Sequence, residues 1–475
     1  MTDNHTESIR MKLIVPSRLF RGPRVALLAL AMATAGVIAL TPACSPPADN
    51  APKPGKPGDN GNASGKNGGT PAGGANMAAL KAAAAKGRAY LMSLYNSEDP
   101  RMAWGPKGNV GATGMVLNAL IRTIDPVSPK DEKIKASLDF LISKQEKDGV
   151  WMSPQYGEAV YETAVVLRAL VEAAKADADF KKREDVMAAI VKGRDYLLLA
   201  QVDENPEQPG FTAPTGPDDP DSGWWYGGWG YGRVDKSNRA AANMSTTHFA
   251  MDALDSTSAV LNSAEDQAKL EAARGKLQNF LRHCHNLKEY NGKPYNAEGI
   301  AGRDSRDPGE GKEKVMPSND GGGVYSPGSS KAGYDVGEGG VKIARSYGSM
   351  SYALLKLYHM AHVPKTDMRV LKVTEWLTQA GHYGFAANPG FDDDKAKAGL
   401  YYYLFTAAWA LEAQFGNDMV EDSKGAKHDW KAELGAAIAS LQTPDGFWIN
   451  SSGEFEEKSP MICTAYVLIA LGSLK

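Results

Sequence analysis

Cysteine is scarce in this sequence: its 475 residues include three, at positions 44, 284 and 463. So few thiols exclude a small domain held together by disulfides, and a large apolar core must supply the stability. If Cys44 belongs to a leader, Cys284 and Cys463 are the one pair left to form a disulfide, and the sequence leaves open whether they meet. A basic surplus is also lacking, since the formal net charge is −3. We therefore expect no nucleic-acid partner.

Residues 1–44 have the order of an export signal. Three arginines between positions 18 and 24 precede an uncharged apolar run over residues 25–40. This run is shorter than the ~20 residues that a membrane-spanning helix needs. Ala43-Cys44 then resembles the cleavage site of a bacterial lipoprotein, in which the cysteine becomes the lipid-bearing N-terminus. We expect a lipid anchor at Cys44 and a location on the periplasmic face of a bacterial membrane; the alternative is simple secretion.

Residues 45–76 consist mainly of Pro, Gly, Asn and Lys and have almost no apolar content. Such a composition cannot bury a core and is typical of a disordered linker. From Met77 onward the sequence becomes apolar and periodic. We therefore predict three parts: an export signal over residues 1–44, a linker over residues 45–76 and a folded domain over residues 77–475.

A spaced motif recurs within the predicted domain: a glutamine, a glycine four residues later and a tryptophan two residues after that. Its two complete copies are Gln145-Gly149-Trp151 and Gln442-Gly446-Trp448. A motif that returns at intervals of roughly 50 residues indicates a repeat architecture. The chain has the pattern of six helix–loop–helix pairs, and the second helices are apolar on nearly every side. Helices of that kind are buried, so we predict an inner ring of second helices and an outer ring of first helices, closed in a circle.

The six pairs and the Gln-x-x-x-Gly-x-Trp spacing resemble the squalene/hopene cyclases and the β subunits of protein prenyltransferases. The resemblance covers residues 77–475. It implies an all-α fold, an α/α toroid of about six helix pairs with an inner and an outer ring around an apolar cavity. It also implies an apolar or isoprenoid-like ligand in that cavity.

The proton-donating aspartate of the cyclases is replaced in this chain. The family's Asp-x-Asp-Asp-Thr-Ala run corresponds to residues 159–164 or 460–465, in which Tyr161 or Ile462 stands in place of the acid. A phenol with a pKa near ~10 is too weak to protonate an alkene. Within these two stretches, Glu162 is the one acidic residue that remains at a position where the cyclases have an aspartate.

The zinc ligands of the prenyltransferases are replaced as well. Asn243 and Ser245 stand where that family has Asp and Cys, and a tyrosine or a cysteine takes the place of its His. We therefore expect no metal and no cofactor. Arg233 and Lys236 match the spacing of the family's diphosphate-binding residues; the alternative is that both are solvated loop charges.

Two connections, residues 201–243 and 285–345, are far longer than ordinary loops. Both are rich in Gly and Asp, and both contain aromatic residues, among them Trp229, Tyr231 and Tyr325. A disordered segment would not favour so many aromatic residues. We predict that these loops fold over one mouth of the ring.

The starts of the third, fourth and fifth inner helices are rich in aromatic and polar side chains. Clustered tyrosines with an arginine and a histidine are typical of a ligand cavity with a polar rim; the alternative is a plug of side chains that satisfy one another. The candidate catalytic residues are Glu162, His248 and Tyr347. The candidate ligand-binding residues are Arg233, Lys236, Arg345, Tyr347, Tyr352, Tyr401, Tyr402, Tyr403 and Trp409.

Three functions are open on this sequence. The first is an envelope-anchored toroid that binds an apolar or isoprenoid-like ligand in its central cavity, with catalysis unproven. The second is an isoprenoid-processing enzyme with an atypical site. The third is a glycan-processing or protein-interaction toroid that displays the two long loops. Fold alone does not choose among them.

Overall fold

The structure is a computed structural model that describes residues 72–96, 104–105, 109–154, 157–204, 224–233, 242–289, 291, 295–296 and 314–475. The predicted export signal, most of the predicted linker, Cys44 and Lys236 lie outside these residues. The described helices are α1 (Ala72–Ser93), α2 (Val110–Arg122), α3 (Glu132–Lys144), α4 (Ala159–Ala176), α5 (Ala178–Lys181), α6 (Glu184–Leu199), α7 (Met244–Thr257), α8 (Ala264–Cys284), α9 (Gly348–Met360), α10 (Met368–Leu377), α11 (Leu400–Phe415), α12 (Trp430–Ser440) and α13 (Pro460–Gly472). Helix α1 begins ahead of the predicted domain start at Met77.

Six of these helices form a closed inner ring. Helices α2, α4, α7, α9, α11 and α13 each pack against the next, and α13 packs against α2. Helices α1, α3, α6, α8, α10 and α12 form the outer layer, which is closed by contacts of α1 with both α12 and α13. The predicted all-α class, an α/α toroid of six helix pairs, is confirmed.

Short polar side chains begin several of the helices. The side-chain oxygen of Asn109 accepts the amide of Ala112 in α2 at 2.7 Å, and that of Asn243 accepts the amide of Thr246 in α7 at 2.9 Å. Such caps satisfy amides that have no partner within the helix. Glu158 stands at the same position before α4 but makes no side-chain cap.

The Gln-x-x-x-Gly-x-Trp motif joins neighbouring repeats. The buried indole of Trp151 donates to the carbonyl of Leu141 on α3 at 2.6 Å, and its amide donates to the hydroxyl of Thr163 on α4 at 3.0 Å. The side-chain amide of Gln145 donates to the carbonyl of Ala189 on α6 at 2.9 Å. One motif thus connects an outer helix, its inner partner and the next outer helix.

The last copy of the motif closes the ring. Gln442 donates to the carbonyl of Ala83 on α1 at 2.9 Å, so the sixth repeat is bonded to the first. Trp448 packs over Gly87 of the same helix, where a methyl group would meet the indole. These glutamines and tryptophans therefore have a structural role in joining the repeats.

Short strands interrupt the helices. In the second long connection, β1 (Tyr295–Asn296), β2 (Lys314–Pro317), β3 (Tyr334–Val336) and β4 (Lys342–Ala344) form a sheet in the order β1-β2-β4-β3. Strand β2 runs parallel to β4, and the other two pairings are antiparallel. A two-stranded antiparallel sheet of β5 (Val420–Glu421) and β6 (Lys427–His428) joins α11 to α12.

The two cysteines of the domain do not form a disulfide. Cys284 in α8 and Cys463 in α13 are both buried free thiols. Burial raises the pKa of both, which keeps them protonated. The ring is therefore held by packing and hydrogen bonds. None of the described helices is both long and apolar enough to cross a membrane.

Candidate functional site

The inner helices run parallel, so the ring has two different ends. Gly111 in the first turn of α2 packs against Glu162 in the first turn of α4. At the other end Arg122 of α2 and Arg168 of α4 both reach Asp252 of α7. We call the end with the helix N-termini the mouth and the end with the C-termini the floor. Because the peptide dipoles align, the mouth carries partial positive charge and the floor partial negative charge.

Tyrosines from six segments of the chain converge at the mouth. The hydroxyls of Tyr161 on α4 and Tyr466 on α13 are 3.3 Å apart, and those of Tyr231 and Tyr325 are 2.9 Å apart. The ring of Tyr402 on α11 lies 5.7 Å from that of Tyr466. With one residue at the start of α9 these side chains form the tyrosine mouth: Tyr161, Tyr231, Tyr325, Tyr347, Tyr402 and Tyr466.

The two long connections meet at this end of the ring. Tyr231 belongs to the first connection and Tyr325 to the second, 94 residues later, and their hydroxyls form the hydrogen bond noted above. The backbone of Tyr231 also accepts the amide of Val160 at the start of α4, and that of Tyr325 accepts the amide of Met244 at the start of α7. For their described parts, the prediction that the loops fold over one mouth is confirmed.

Burial keeps the phenols of the mouth protonated. In all six tyrosines the pKa is raised above its ordinary value of 10.0, and desolvation is the main cause. These six are Tyr161, Tyr231, Tyr325, Tyr347, Tyr402 and Tyr466. Neutral phenols donate and accept hydrogen bonds but do not act as bases at neutral pH. The tyrosine mouth is therefore a hydrogen-bonding surface with aromatic faces.

Glu158 is a carboxyl group at the mouth that titrates near neutrality. Burial, followed by repulsion from Glu162 and Glu456, raises its pKa from 4.5 to about 7. Although it precedes α4, its carboxylate accepts no hydrogen bond from the first turn of that helix. Its negative charge helps to raise the pKa of the phenols of both Tyr161 and Tyr231. Glu158 is thus a titrating group beside the tyrosine mouth that its own helix does not use.

A strained turn brings two further side chains to the mouth. Phe455 and Glu456 both have a left-handed backbone, with φ values of 55° and 65°, a conformation that costs a non-glycine residue about 1–3 kcal/mol. Phe455 is 45% exposed and its ring lies 6.5 Å from that of Phe391, which meets Tyr347 edge-on at 5.2 Å. The next residue, Glu457, is buried and accepts an amide of the first turn of α11 at 2.8 Å. The turn therefore presents an exposed aromatic ring and a carboxylate.

The three predicted catalytic residues lie in three different surroundings. The buried carboxylate of Glu162 accepts the amide of Ser153, so it orders a loop. His248 is fully buried at the centre of the ring, 3.4 Å from the hydroxyl of Tyr402, and burial lowers its pKa to about 3. It is therefore neutral at physiological pH. Of the three, Tyr347 is the one that belongs to the tyrosine mouth.

Three predicted ligand-binding residues are consecutive on α11 and point in different directions. Neighbouring residues on a helix do not share a face, and Tyr402 is the one that reaches the mouth. Tyr401 donates its hydroxyl to the carbonyl of Ile449 at 3.2 Å, and Tyr403 donates to that of Gly384 at 2.6 Å. Both hydroxyls thus bond the surrounding loops.

The two described arginines among the predicted ligand-binding residues are held by carboxylates. Arg345 donates to Asp335 and to Asp392, each at 2.6 Å. Arg233 pairs with Glu146 at 2.8 Å and also with Asp148. Both guanidinium groups therefore connect loops, in agreement with the alternative that Arg233 is a loop charge. Lys236, which the sequence analysis pairs with Arg233, lies outside the described residues.

Side chains fill the centre of the ring. Phe249 and Phe405 stack at 5.8 Å, Trp409 lies 4.6 Å from Phe405, and His248 lies 5.4 Å from Trp409. The predicted ligand-binding Tyr352 of α9 is also fully buried, but its ring lies 5.5 Å from that of Tyr403, whose hydroxyl bonds a surrounding loop. Below them lies a cleft that is open to solvent on one side. Its volume is about 230 Å³ when the open part is included, but the enclosed space has room for about one water molecule. In the described part of the chain a plug thus occupies the place where an apolar cavity was the leading expectation.

The positions that hold zinc in the prenyltransferases have other uses here. Asn243 caps α7 through the amide of Thr246. The hydroxyl of Ser245 lies beside the phenols of Tyr231 and Tyr402 and acts to lower the pKa of both, against the larger effect of burial. Among the described residues, no three His, Cys, Asp or Glu side chains are arranged to hold a metal ion. Ser245 instead belongs with the tyrosine mouth.

Sequence reasoning missed Glu158, Glu456 and Tyr466 as site residues. Glu158 precedes Glu162 by one helical turn, a spacing that places both on one face and could have drawn attention to it. Tyr466 lies six residues after the first residue of α13, nearly two helical turns along it, whereas the sequence-based candidates stand mostly at helix starts. No sequence pattern marks Glu456, because its position follows from the strained turn.

Comparison with known proteins finds similar folds at low sequence identity. No family model matches the chain, and no curated protein matches it significantly. The apo type II terpene cyclase MstE from Scytonema is 14% identical, with 83% of this chain and 98% of that chain covered and a TM-score of 0.41. The α-1,6-mannanase GH76A of Salegentibacter sp. HEL1_6 is 12% identical, with 83% and 100% covered and a TM-score of 0.46. A protein from Actinoplanes is 13% identical, with 83% and 99% covered and a TM-score of 0.42. At such values the likeness carries nothing about ligand or reaction.

Proposed function

We propose that this toroid binds a neutral oligosaccharide at the tyrosine mouth and hydrolyses it with Glu158 as general acid. The observation that carries the proposal is the convergence of six tyrosines beside a carboxyl group, Glu158, whose pKa burial raises to about 7. A titrating acid in a cluster of uncharged hydrogen-bonding groups is a common feature of active sites. The proposal corresponds to the glycan-processing alternative among the functions that the sequence leaves open.

A saccharide matches the groups at the mouth. A sugar ring has an apolar face and a rim of hydroxyls, and a tyrosine has an aromatic face and one hydroxyl. The exposed ring of Phe455 adds a further aromatic face. The carboxylates of Glu158 and Glu456 would repel an anionic saccharide. We therefore infer that the substrate is neutral.

Glu158 can deliver the proton that cleavage of a glycosidic bond requires. With a pKa of about 7, a substantial share of it is protonated at neutral pH. It donates that proton to the glycosidic oxygen as the bond to the anomeric carbon breaks. A water molecule attacks the anomeric carbon, and Glu456 accepts the proton that this water loses. The tyrosine hydroxyls orient the sugar and remain protonated.

The test is incubation of the full chain with a panel of neutral oligosaccharides. New reducing ends are detected by mass spectrometry, and binding is measured by calorimetry. Glu158→Gln should lower turnover by about 10²–10⁴-fold while affinity stays within about 3-fold, because the change removes a proton and little else. Glu146→Gln, an exposed carboxylate that pairs with Arg233, is the matched control and should leave both unchanged. If the wild-type chain bound none of the panel, the proposal would be wrong.

An apolar or isoprenoid-like ligand in the ring centre is the second candidate. In its favour, the floor-side cleft is lined largely by apolar side chains such as Met115, Phe249 and Phe405. Against it, the cleft has room for about one water molecule, so these side chains would have to move. Native mass spectrometry of the full chain after organic extraction distinguishes the two. A co-purifying isoprenoid, or a product formed from one, would replace the saccharide proposal.

We propose from the sequence that the chain acts outside the cytoplasm, anchored through a lipid on Cys44. The export-like order of residues 1–44 supports this location. Cys44→Ser should move the protein from the membrane fraction to the soluble fraction and remove the lipid mass from the N-terminal peptide. An unchanged distribution would favour simple secretion or retention inside the cell.

A further inference from the structure

A cluster of buried charges lies at the floor of the ring. Around Asp252 on α7 stand three cations: Nζ of Lys356 at 3.0 Å, Nε of Arg168 at 3.2 Å and a terminal nitrogen of Arg122 at 3.9 Å. The side chains of Asp252 and Lys356 are 7% and 9% exposed. Because three cations share one carboxylate, the centre of the cluster has a surplus of positive charge.

A second carboxylate at the edge of the cluster does not remove this surplus. Glu172 binds Arg168 at 2.8 Å and the half-exposed Lys175 at 3.0 Å. Its charge also acts on Arg122, so it offsets part of the surplus: two carboxylates face the three cations of the cluster and Lys175. The shortest ion pair of Arg122 remains the 3.9 Å contact with Asp252.

Arg122 is the least compensated cation of the three. It is the last residue of α2, its side chain is 13% exposed, and its guanidinium lies 4.6 Å from the centre of the Trp409 ring. It donates no hydrogen bond to any side chain or carbonyl within the described ranges. Its donor nitrogens, which have no acceptor among the described residues, keep some access to solvent, so a small ligand that enters from solvent can accept hydrogen bonds from them.

The unused donors adjoin open space. Arg122 and Arg168 both line the floor-side cleft, together with Asn118 and Trp409. The side-chain oxygen of Asn118 is buried and meets no donor among the described residues. The cleft has room for about one water molecule. Its occupant must therefore be small, and the surrounding charge favours an anion.

We propose that the floor-side cleft binds one small monoanion against Arg122 and Arg168. The anion accepts hydrogen bonds from the two guanidinium groups and offsets the surplus charge around Asp252. Chloride, a single atom, matches the space most closely but offers no donor to the oxygen of Asn118. Formate supplies two acceptor oxygens and hydrogencarbonate adds a hydroxyl that can donate to Asn118, but with three and four heavy atoms both require the lining side chains to move. The shared chemistry is a single negative charge on a body of a few atoms.

The state of Lys356 supports this assignment. Burial, with Arg122 and Arg168 acting against Asp252, lowers its pKa from 10.5 to about 7. The amine also lies over the ring of Trp409 at 2.6 Å from its centre. A negative ion in the cleft would oppose the effect of both arginines and favour the charged amine.

The test compares melting temperatures of the full chain in different sodium salts at equal ionic strength. Chloride, formate and hydrogencarbonate are the probes, and gluconate, which is too large for the cleft, is the reference. At least one probe should raise the melting temperature of the wild type by about 2 °C or more over gluconate. Arg122→Gln should abolish the difference. Arg233→Gln, at an exposed arginine with two carboxylate partners, should keep it.

Equal melting temperatures in all four salts, or a salt effect that survives Arg122→Gln, would overturn the proposal. Should Arg122→Gln not fold, wild-type crystals soaked in bromide provide the second measurement. An anomalous peak within hydrogen-bond distance of Arg122 is the expected result. Bromide at surface sites with none in the cleft would contradict a chloride-sized occupant, and the same crystals soaked in formate would then decide between a polyatomic anion and no site.

Discussion

The mouth and the floor of the ring are built by the same six helices and have opposite chemistry. At the mouth, where helix N-termini carry partial positive charge, lie the carboxylates of Glu158, Glu162 and Glu457. At the floor, where C-termini carry partial negative charge, lie the cations of Arg122 and Lys356. Complementary charges at helix ends stabilise the helices. A charged residue at either end that does not stabilise a helix in this way is therefore a candidate for a functional role.

Each end has one charged group that its surroundings leave uncommitted. At the mouth Glu457 accepts an amide of α11, whereas Glu158 accepts none from α4. At the floor Lys356 hydrogen-bonds Asp252 at 3.0 Å, whereas Arg122 stands 3.9 Å away. Glu158 is accordingly the proposed proton donor at the mouth, and Arg122 the proposed anion-binding group at the floor.

The largest effect should come from breaking the charge balance of the floor. Asp252→Asn leaves three buried cations without their shared carboxylate and should lower the free energy of unfolding by about 3–5 kcal/mol. Urea unfolding followed by circular dichroism measures the loss. Glu158→Gln at the mouth removes a carboxyl group whose pKa folding raises, so it should raise the same quantity at pH 7, by up to about 3 kcal/mol. Equal losses at the two ends would remove the distinction between them.

The two ends should respond to pH with opposite sign. Folding raises the pKa of Glu158 from 4.5 to about 7, so the folded chain binds more protons in that window and stability falls as pH rises through it. Folding lowers the pKa of Lys356 from 10.5 to about 7, so the unfolded chain binds more protons above pH 7 and stability rises with pH. Each slope is at most about 1.4 kcal/mol per pH unit.

Variants separate these two slopes. Urea midpoints measured from pH 5 to pH 10 should fall less steeply in Glu158→Gln, the remaining fall belonging to Glu457, whose pKa burial also raises to about 7. The rise above pH 7 should weaken in Lys356→Met. A variant that left its own part of the profile unchanged would show that the group does not titrate as described.

A single hydroxyl should matter at the mouth and not beside it. Tyr402→Phe removes a hydroxyl of the tyrosine mouth that lies 3.4 Å from His248 and that the proposed saccharide would engage. It should weaken binding by about 5–10-fold, which corresponds to ~1 kcal/mol. Tyr401→Phe, one residue earlier, removes a hydroxyl bonded to the carbonyl of Ile449 and should leave affinity unchanged. Calorimetry of both variants with the same oligosaccharide is the measurement, and equal losses would place the ligand elsewhere.

The smallest effect should appear at the strained turn. Phe455→Gly relieves a left-handed backbone and should raise the free energy of unfolding by up to about 1 kcal/mol. It also removes the exposed ring, so binding of the saccharide should weaken by a few-fold. A variant that lost stability while keeping affinity would mean that the turn serves the fold alone.

The fold could be predicted because its signals are local and repeated. Gln145, Gly149 and Trp151 occur at a spacing that recurs at Gln442, and each set makes the same bonds to a neighbouring helix. The apolar character of each inner helix is likewise contained in ten or so consecutive residues. Patterns of this range can be recognised without knowing which parts of the chain meet.

The site could be predicted only in part, because it depends on which distant residues meet. Tyr347 and Tyr402 were within reach, since they begin helices that the repeat already defines. The bond between Tyr231 and Tyr325 joins loops 94 residues apart, and no spacing indicates it. Whether the centre is a cavity or a plug depends on how side-chain volumes such as that of Trp409 add up across the ring, which sequence patterns do not measure.

Hydrogen exchange of the full chain, with and without a bound neutral oligosaccharide, tests most directly whether the mouth is the ligand site. The account predicts slower exchange on binding in peptides from the mouth, namely residues 158–162, 231–233, 400–403 and 455–457. It predicts unchanged exchange in peptides from the floor, residues 118–122 and 352–356. Slower exchange at the floor with an unchanged mouth would contradict it.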